Sequence, residues 1–264
     1  MDKIKIEVLF PEIANLYGDL ENITYLTRSC PEIEVVKTGL ADEPLFASEA
    51  PALIYMGTMS ESAQELVIEK LSQYKDILKQ RIDEGVLFLL TGNALEVFGS
   101  RIEYIKNTSN KQVLGEAEMN RVIDALGFFP TVARRDMMHR FNSLYIGKFD
   151  TDITDITMVG YKSQFTHSYV DESIDAVYSS FDKAFETSRG PGLNPDMTGE
   201  GIRVNNFIAT YVIGPLLVLN PPFTKWLLGK MGVEAPKLAF EEDAMKAYDV
   251  RVAEYSNENT GFYY

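Results

Sequence analysis

The chain has a single cysteine, Cys30, and two histidines, His139 and His167, in 264 residues. One thiol excludes an internal disulfide and a cysteine-only metal site, and two imidazoles fall short of a structural zinc site. No metal or cofactor is therefore expected. Long apolar runs are also missing. The run from Phe207 to Leu219 is too short to span a bilayer and is broken by Gly214-Pro215. No apolar h-region follows Met1, so no secretory signal is expected and the cytosol is the expected compartment. Basic residues are scarce: 25 Lys and Arg against 39 Asp and Glu give a net charge of −14, which disfavours nucleic acid and anionic membrane surfaces as partners. What is present, 45% apolar and 11% aromatic residues, is the balance of a globular chain.

The patterning is that of an α/β protein. Ile4, Ile6, Val8 and Phe10 mark a first strand closed by Pro11. A helix follows to Ser29-Cys30-Pro31, and second and third strands are expected at Glu34–Lys37 and Ala52–Met56. Ser62 and Glu65 form a capping-box pair ahead of one helix carrying Val67, Leu71, Tyr74, Leu78 and Ile82, which ends at Gly85. The continuously apolar Val86–Leu90 reads as a central parallel strand covered on both faces. This order predicts a doubly wound sheet through about residue 100. Further strands are expected at Leu144–Ile146, Ile156–Tyr161 and Phe207–Tyr211. Helices are expected at Pro222–Met231 and Phe240–Tyr255, with a loose tail over Ser256–Tyr264. The expected organisation is one domain over residues 1–221 with a helical extension, 222–264, packed on it.

Ligands of open α/β sheets bind beyond the carboxyl ends of the strands, which directs attention to the loops after Met56 and Leu90. The buried strand followed by Gly92-Asn93 and a helix has the form of a nucleophile elbow. The run Glu84–Gly99 resembles the elbow of class I glutamine amidotransferases of the cobyric acid synthase and lipid II isoglutaminyl synthase type. Those proteins have Cys-Gly-Gly-(Tyr/Phe)-Gln-apolar-apolar-Gly there. Three more blocks carry the resemblance in the same order: Asn15-Leu16-Tyr17-Gly18-Asp19 through Ile23, the loop Gly57-Thr58-Met59-Ser60 through Gln64, and Gly199-Glu200-Gly201 through Asn220-Pro221. The resemblance implies a three-layer α/β/α, flavodoxin-like fold with a mostly parallel sheet. It also implies that the loop at Gly57 corresponds to the glycine backbone of an oxyanion pocket.

The resemblance places the chemical positions on residues unable to do the chemistry. Gly92 stands at the nucleophilic cysteine and Ile213 at the general-base histidine, and Gln164 replaces a further histidine. Glutamine hydrolysis by this route needs a thiolate and an imidazole, and losing both removes several orders of magnitude in rate. The expectation is a pseudoenzyme: a binding or partner subunit, beside a Mur-ligase-like protein in bacterial cell-wall precursor amidation. Its candidate ligand pocket comprises Tyr17, Gly18, Asp19, Gly57, Thr58, Thr91, Asn93 and Arg140, with glutamine or another small amino acid as the ligand. Two alternatives stay open, an enzyme using Thr91 or Ser60 as a hydroxyl nucleophile and a non-hydrolysing amino-acid sensor. Tyr17, Gly18 and Asp19 also read as a helix start, with Gly18 in a tight turn and Asp19 as cap. The basic cluster Arg134, Arg135, His139 and Arg140 reads either as a carboxylate-binding site at Arg140 or as a solvated or partner-facing loop.

Overall fold

The computed structural model describes residues 3–105, 121–151 and 153–261. The first half alternates β1 (Ile4–Leu9), α1 (Glu21–Ser29), β2 (Ile33–Thr38), β3 (Leu53–Met56), α2 (Glu61–Ser72), α3 (Lys75–Asp83), β4 (Leu87–Thr91) and α4 (Ala94–Val97). Strands then dominate: β5 (Arg101–Tyr104), β6 (Val122–Asp124), β7 (Thr131–Arg135), β8 (Phe141–Phe149), β9 (Ile156–Gln164), β10 (Thr166–Val170), β11 (Phe185–Arg189), β12 (Gly199–Glu200), β13 (Ile202–Val204) and β14 (Phe207–Thr210). Helices α5 (Leu216–Leu219), α6 (Pro221–Lys230) and α7 (Glu241–Ser256) follow.

The central sheet runs β13-β14-β4-β3-β1-β2, with β14, β4, β3, β1 and β2 parallel and β13 antiparallel at one edge. Every residue of β4 is buried, as its unbroken apolar run requires of an inner strand. Side chains alternate between two cores. Ile54, Met56, Phe88, Leu90 and Phe207 face Val67 and Leu71 of α2, Leu78 and Ile82 of α3, and Phe98. On the opposite face Ile6, Val8, Tyr55, Leu89 and Ile208 meet Leu26 of α1, Phe223 and Leu227 of α6, and Tyr145 and Phe149 of β8.

The class is α/β, but the expectation of one mostly parallel sheet needs correction. Strands β8 and β9, expected as further strands without a partner being assigned, pair with each other from Phe141↔Gln164 to Phe149↔Ile156 and form a separate antiparallel sheet in the order β12-β11-β8-β9. The connection 150–155 is too short for a parallel crossover, so a hairpin is the available solution. A third sheet, β10-β7-β5-β6, packs Ile102 and Ala133 into the first core. The expected long helix after Ser62 is also two helices. Its cap is Ser60, whose Oγ accepts the Ala63 N–H at 3.2 Å, and Tyr74 leaves helical geometry to set its ring edge-on to Phe46 at 5.8 Å. The described part of the expected loose tail is held as well. Arg189 donates to the carbonyls of Tyr255, Asn257 and Thr260, while residues 262–264 lie outside the described residues.

Phe207 joins the first core within an aromatic cluster, with ring centroids 5.4 Å from Phe88 and 5.1 Å from both Phe98 and Phe129. Phe207→Ala is expected to lower unfolding free energy by about 3–5 kcal/mol, read from urea denaturation. A loss under about 1 kcal/mol would show that these rings repack freely.

Candidate functional site

The turn between β4 and α4 keeps the backbone of an elbow. Gly92 has φ +60°, in the left-handed region that an L side chain occupies at a cost, and its carbonyl accepts the Leu95 N–H at 3.3 Å. The space in front of it is filled. A Cβ built on Gly92 would lie 2.3 Å from Thr58 Oγ1 and 2.8 Å from Thr58 Cγ2. A thiol at this position therefore requires Thr58 to move.

Thr58 is fixed by Asp19, which is wholly buried. Asp19 Oδ2 accepts three hydrogen bonds: from the Thr58 N–H at 2.7 Å, the Thr58 hydroxyl at 2.6 Å and the Thr91 hydroxyl at 2.7 Å. The Asp19 carbonyl accepts from Tyr55 Oη at 2.9 Å, and Asn22 Nδ2 donates to Tyr55 Oη at 2.9 Å. Burial pushes the Asp19 carboxyl above its ordinary range, while the hydrogen bonds from Thr58, Thr91 and Asn22 pull it back. Gly57 permits this approach, because a Cβ there would stand 2.6 Å from the Ala14 carbonyl and 3.1 Å from Asp19 Cβ. Asp19 is thus not the helix cap that its position suggested. Its side chain faces the strand-end loops, whereas Gly18, at φ +73°, does make the expected tight turn.

Asn93 closes the same loop from the other side. Its amide accepts the Met59 N–H at 3.0 Å and donates to the Met59 carbonyl at 2.8 Å. Behind it lies a buried ionic cluster that the sequence reading missed. Arg135 Nη2 meets Glu96 Oε2 at 3.0 Å and also donates to Gln64 Oε1, and Gln64 Nε2 donates to the Asn93 carbonyl at 2.7 Å and to Glu96 Oε2 at 3.0 Å. Tyr211 Oη donates to Glu96 Oε1 at 3.3 Å. The sequence signal was Glu96 itself, a carboxylate within the apolar run Ala94–Phe98, which on burial requires a cation. Arg135 supplies it, so one member of the supposed basic surface cluster points inward.

A cleft of about 80 Å³ remains over the elbow, and it gathers Tyr17, Thr58, Gly92, Asn93, Arg140 and Gln164. Met59, Glu61, Glu96, Phe165 and Tyr211 also line it. Gly18, Asp19, Gly57 and Thr91 are not in its lining. Asp19 and Thr91 are fully buried behind it, and Ile213 is buried in a backbone bridge to Tyr161. Arg140 Nη1 is engaged by Tyr17 Oη and, at 3.3 Å, by Ser163 Oγ. Gln164 Oε1 is buried with no hydrogen-bond partner, as is His167 Nε2. His139 lies outside the lining, 2.8 Å from Asp136. Cys30 is buried beyond α1 with its thiol pushed up, chiefly by burial.

The chain is similar to a curated protein, lipid II isoglutaminyl synthase (glutamine-hydrolyzing) subunit GatD of Staphylococcus aureus strain N315, at 23% identity over 232 residues, covering 87% of this chain and 85% of the relative. No protein-family model matches the chain. Two crystal structures of glutamine amidotransferases overlay with low scores. One gives a TM-score of 0.48 at 11% identity, over 86% of this chain and 99% of that one. The other, from Thermotoga maritima, gives 0.47 at 10% identity, over 97% and 93%.

The contact between Thr58 and position 92 is measurable as a coupling. Gly92→Ala is expected to cost about 2 kcal/mol or more, from left-handed strain plus overpacking. In a Thr58→Gly background the overpacking part should vanish, leaving about 1 kcal/mol. Equal costs in both backgrounds, by urea denaturation, would mean that Thr58 does not occupy that space.

Burial, and then the charge of Lys162, holds the His167 imidazole down at about 4 against 6.5 when unfolded. The unfolded chain therefore takes up a proton below pH 6.5 that the folded chain resists until about pH 4, so stability falls as pH drops through that window. The urea midpoint should decline more steeply from pH 7 to pH 5 in the wild type than in His167→Leu. Parallel slopes would show that His167 titrates normally.

Proposed function

We propose that this chain is a catalytically silent glutamine-amidotransferase-like protein that serves as a binding or partner subunit. The observation that carries the reading is the occupied elbow: the room for a side chain at Gly92 is taken by Thr58, 2.3 Å from a built Cβ. Supporting it, two amides of the loop that the resemblance matches to an oxyanion pocket are already committed, Thr58 N–H to Asp19 and Met59 N–H to Asn93. Acyl transfer from glutamine needs a nucleophile, a base and free donors for the developing oxyanion. Gly92 and Ile213 supply neither of the first two, and the loop withholds the third.

The hydroxyl alternatives have structural duties instead. Thr91 is buried and donates to Asp19, and Ser60 caps α2. The partner in this reading is a Mur-ligase-like subunit in cell-wall precursor amidation. It is suggested by the family resemblance and by the relative being one subunit of a synthase.

The purified protein should release ammonia from glutamine no faster than buffer does, and Gly92→Cys alone should leave that unchanged. Turnover above background that disappears in Thr91→Ala would overturn the silent reading and assign the chemistry to that hydroxyl.

A further inference from the structure

Among the described residues, Arg140 at the mouth of the cleft has only neutral contacts. Its guanidinium lies 4.2 Å over the Phe165 ring, and Nη1 donates to Tyr17 Oη and to Ser163 Oγ. Of the carboxylates in the cleft lining, Glu96 is matched by Arg135, and Glu61 makes no ion pair with Arg140. Among the described residues no carboxylate pairs with Arg140, in a chain whose net charge is −14. Stacked and tethered, its planar fork is already oriented to receive a carboxylate, and little rotamer entropy is left to lose.

The rim around it is mixed: Leu16 and Tyr17 line the cleft with Arg140, as do the polar Ser60 and Glu61, and exposed Met138 is near Arg140 in sequence but outside that lining. Leu16 is 43% exposed, Tyr17 40% and Met138 38%. Leu16 and Tyr17 come from the turn before α1, and Met138 sits two residues ahead of Arg140. Tyrosine and arginine set among aliphatic side chains is the composition of interface hot spots. The cleft beneath offers about 80 Å³, well below the roughly 300–1,000 Å³ of small-molecule pockets. The contact area on offer is therefore the rim, which favours a protein segment over a free metabolite.

We propose that this rim docks an acidic loop of a partner protein, with one carboxylate paired to Arg140 and neighbouring apolar side chains resting on Leu16, Tyr17 and Met138. The chain's overall negative field repels such a loop elsewhere, which confines it to this site and fixes one orientation. The proposal rests on the partner-subunit reading above.

The test uses the full chain purified from its native host with any copurifying ligase-like subunit, followed by affinity measurements with variants. Arg140→Glu and Met138→Asp should each weaken the complex about tenfold or more. Lys37→Glu, the same charge change on the exposed side of β2, should leave it unchanged. Wild-type affinity should also fall as salt rises. Melting temperatures verify folding, and Met138→Asp carries the test if Arg140→Glu does not fold. A complex that forms equally well with Arg140→Glu and Met138→Asp overturns the docking site while leaving the partner reading in place. Absence of any ligase-like subunit removes the partner reading and the docking site with it. Free glutamate binding that is lost in Arg140→Glu, with partner affinity unchanged, reassigns the arginine to a small-molecule site.

Discussion

Removing a carboxylate from water costs several kcal/mol unless donors replace the solvent around it, and Asp19 meets that cost with segments distant in sequence. Thr58 approaches from the loop after β3 and Thr91 from the end of β4, while Tyr55 fastens the Asp19 carbonyl to the middle of the sheet. The position of the turn before α1, of the loop at Gly57 and of the elbow is settled by this one charge. Thr58 sits in front of Gly92 because Asp19 holds both its amide and its hydroxyl there. The closed elbow is a consequence of the fold's own electrostatics.

Two other buried charge pairs extend the same logic. Arg135 and Glu96 lock the helix after the elbow to β7, and Gln64 links that pair to Asn93. Lys162, on β9, meets Glu200 at 3.3 Å and donates to the carbonyls of Pro191 and Gly192 at 2.8 and 2.7 Å. Glu200 in turn accepts from Thr210 Oγ1 and the Tyr211 N–H, which ties the end of β14 to the antiparallel sheet. Burial lowers the Lys162 pKa, and the neighbouring Glu200 opposes that shift. Breaking such a pair from one side leaves an uncompensated charge, so these residues constrain each other more tightly than apolar neighbours would.

Much of the fold was legible because its signals are local. The apolar run of β4, the φ-positive glycines at 85 and 92 and the periodicities of α2 and α6 each follow from a few adjacent residues. The separate antiparallel sheet was less legible, since a strand pattern does not name its partner and only the short 150–155 connection argued for a hairpin. At the site, that positions 92 and 213 hold no thiol or imidazole could be read directly, and that Thr58 fills the space before Gly92 could not. Thr58 looked like a degenerate glycine of an oxyanion loop, and nothing in its neighbours says that Asp19 would turn it toward position 92.

Shared motif residues need not imply a shared reaction. In the block from Asn15 to Asn22, Asn15 Oδ1 accepts the Leu20 N–H, Asp19 organises the loops, and Asn22 Oδ1 accepts the Leu217 N–H at 2.8 Å. Near the other end, Asn206 donates to the Gly85 carbonyl at 2.7 Å, and Asn220 brackets Val159 with bonds of 2.7 and 2.8 Å to its amide and carbonyl. Each of these side chains satisfies backbone or a buried partner in this chain. Gly92 and Ile213 enter the lattice through backbone alone: the Gly92 carbonyl accepts the Leu95 N–H, and Ile213 bridges Tyr161. A chain held together in this way keeps its shape without a thiol or an imidazole at these two positions, and Tyr17 and Arg140 stay exposed at the mouth of the cleft.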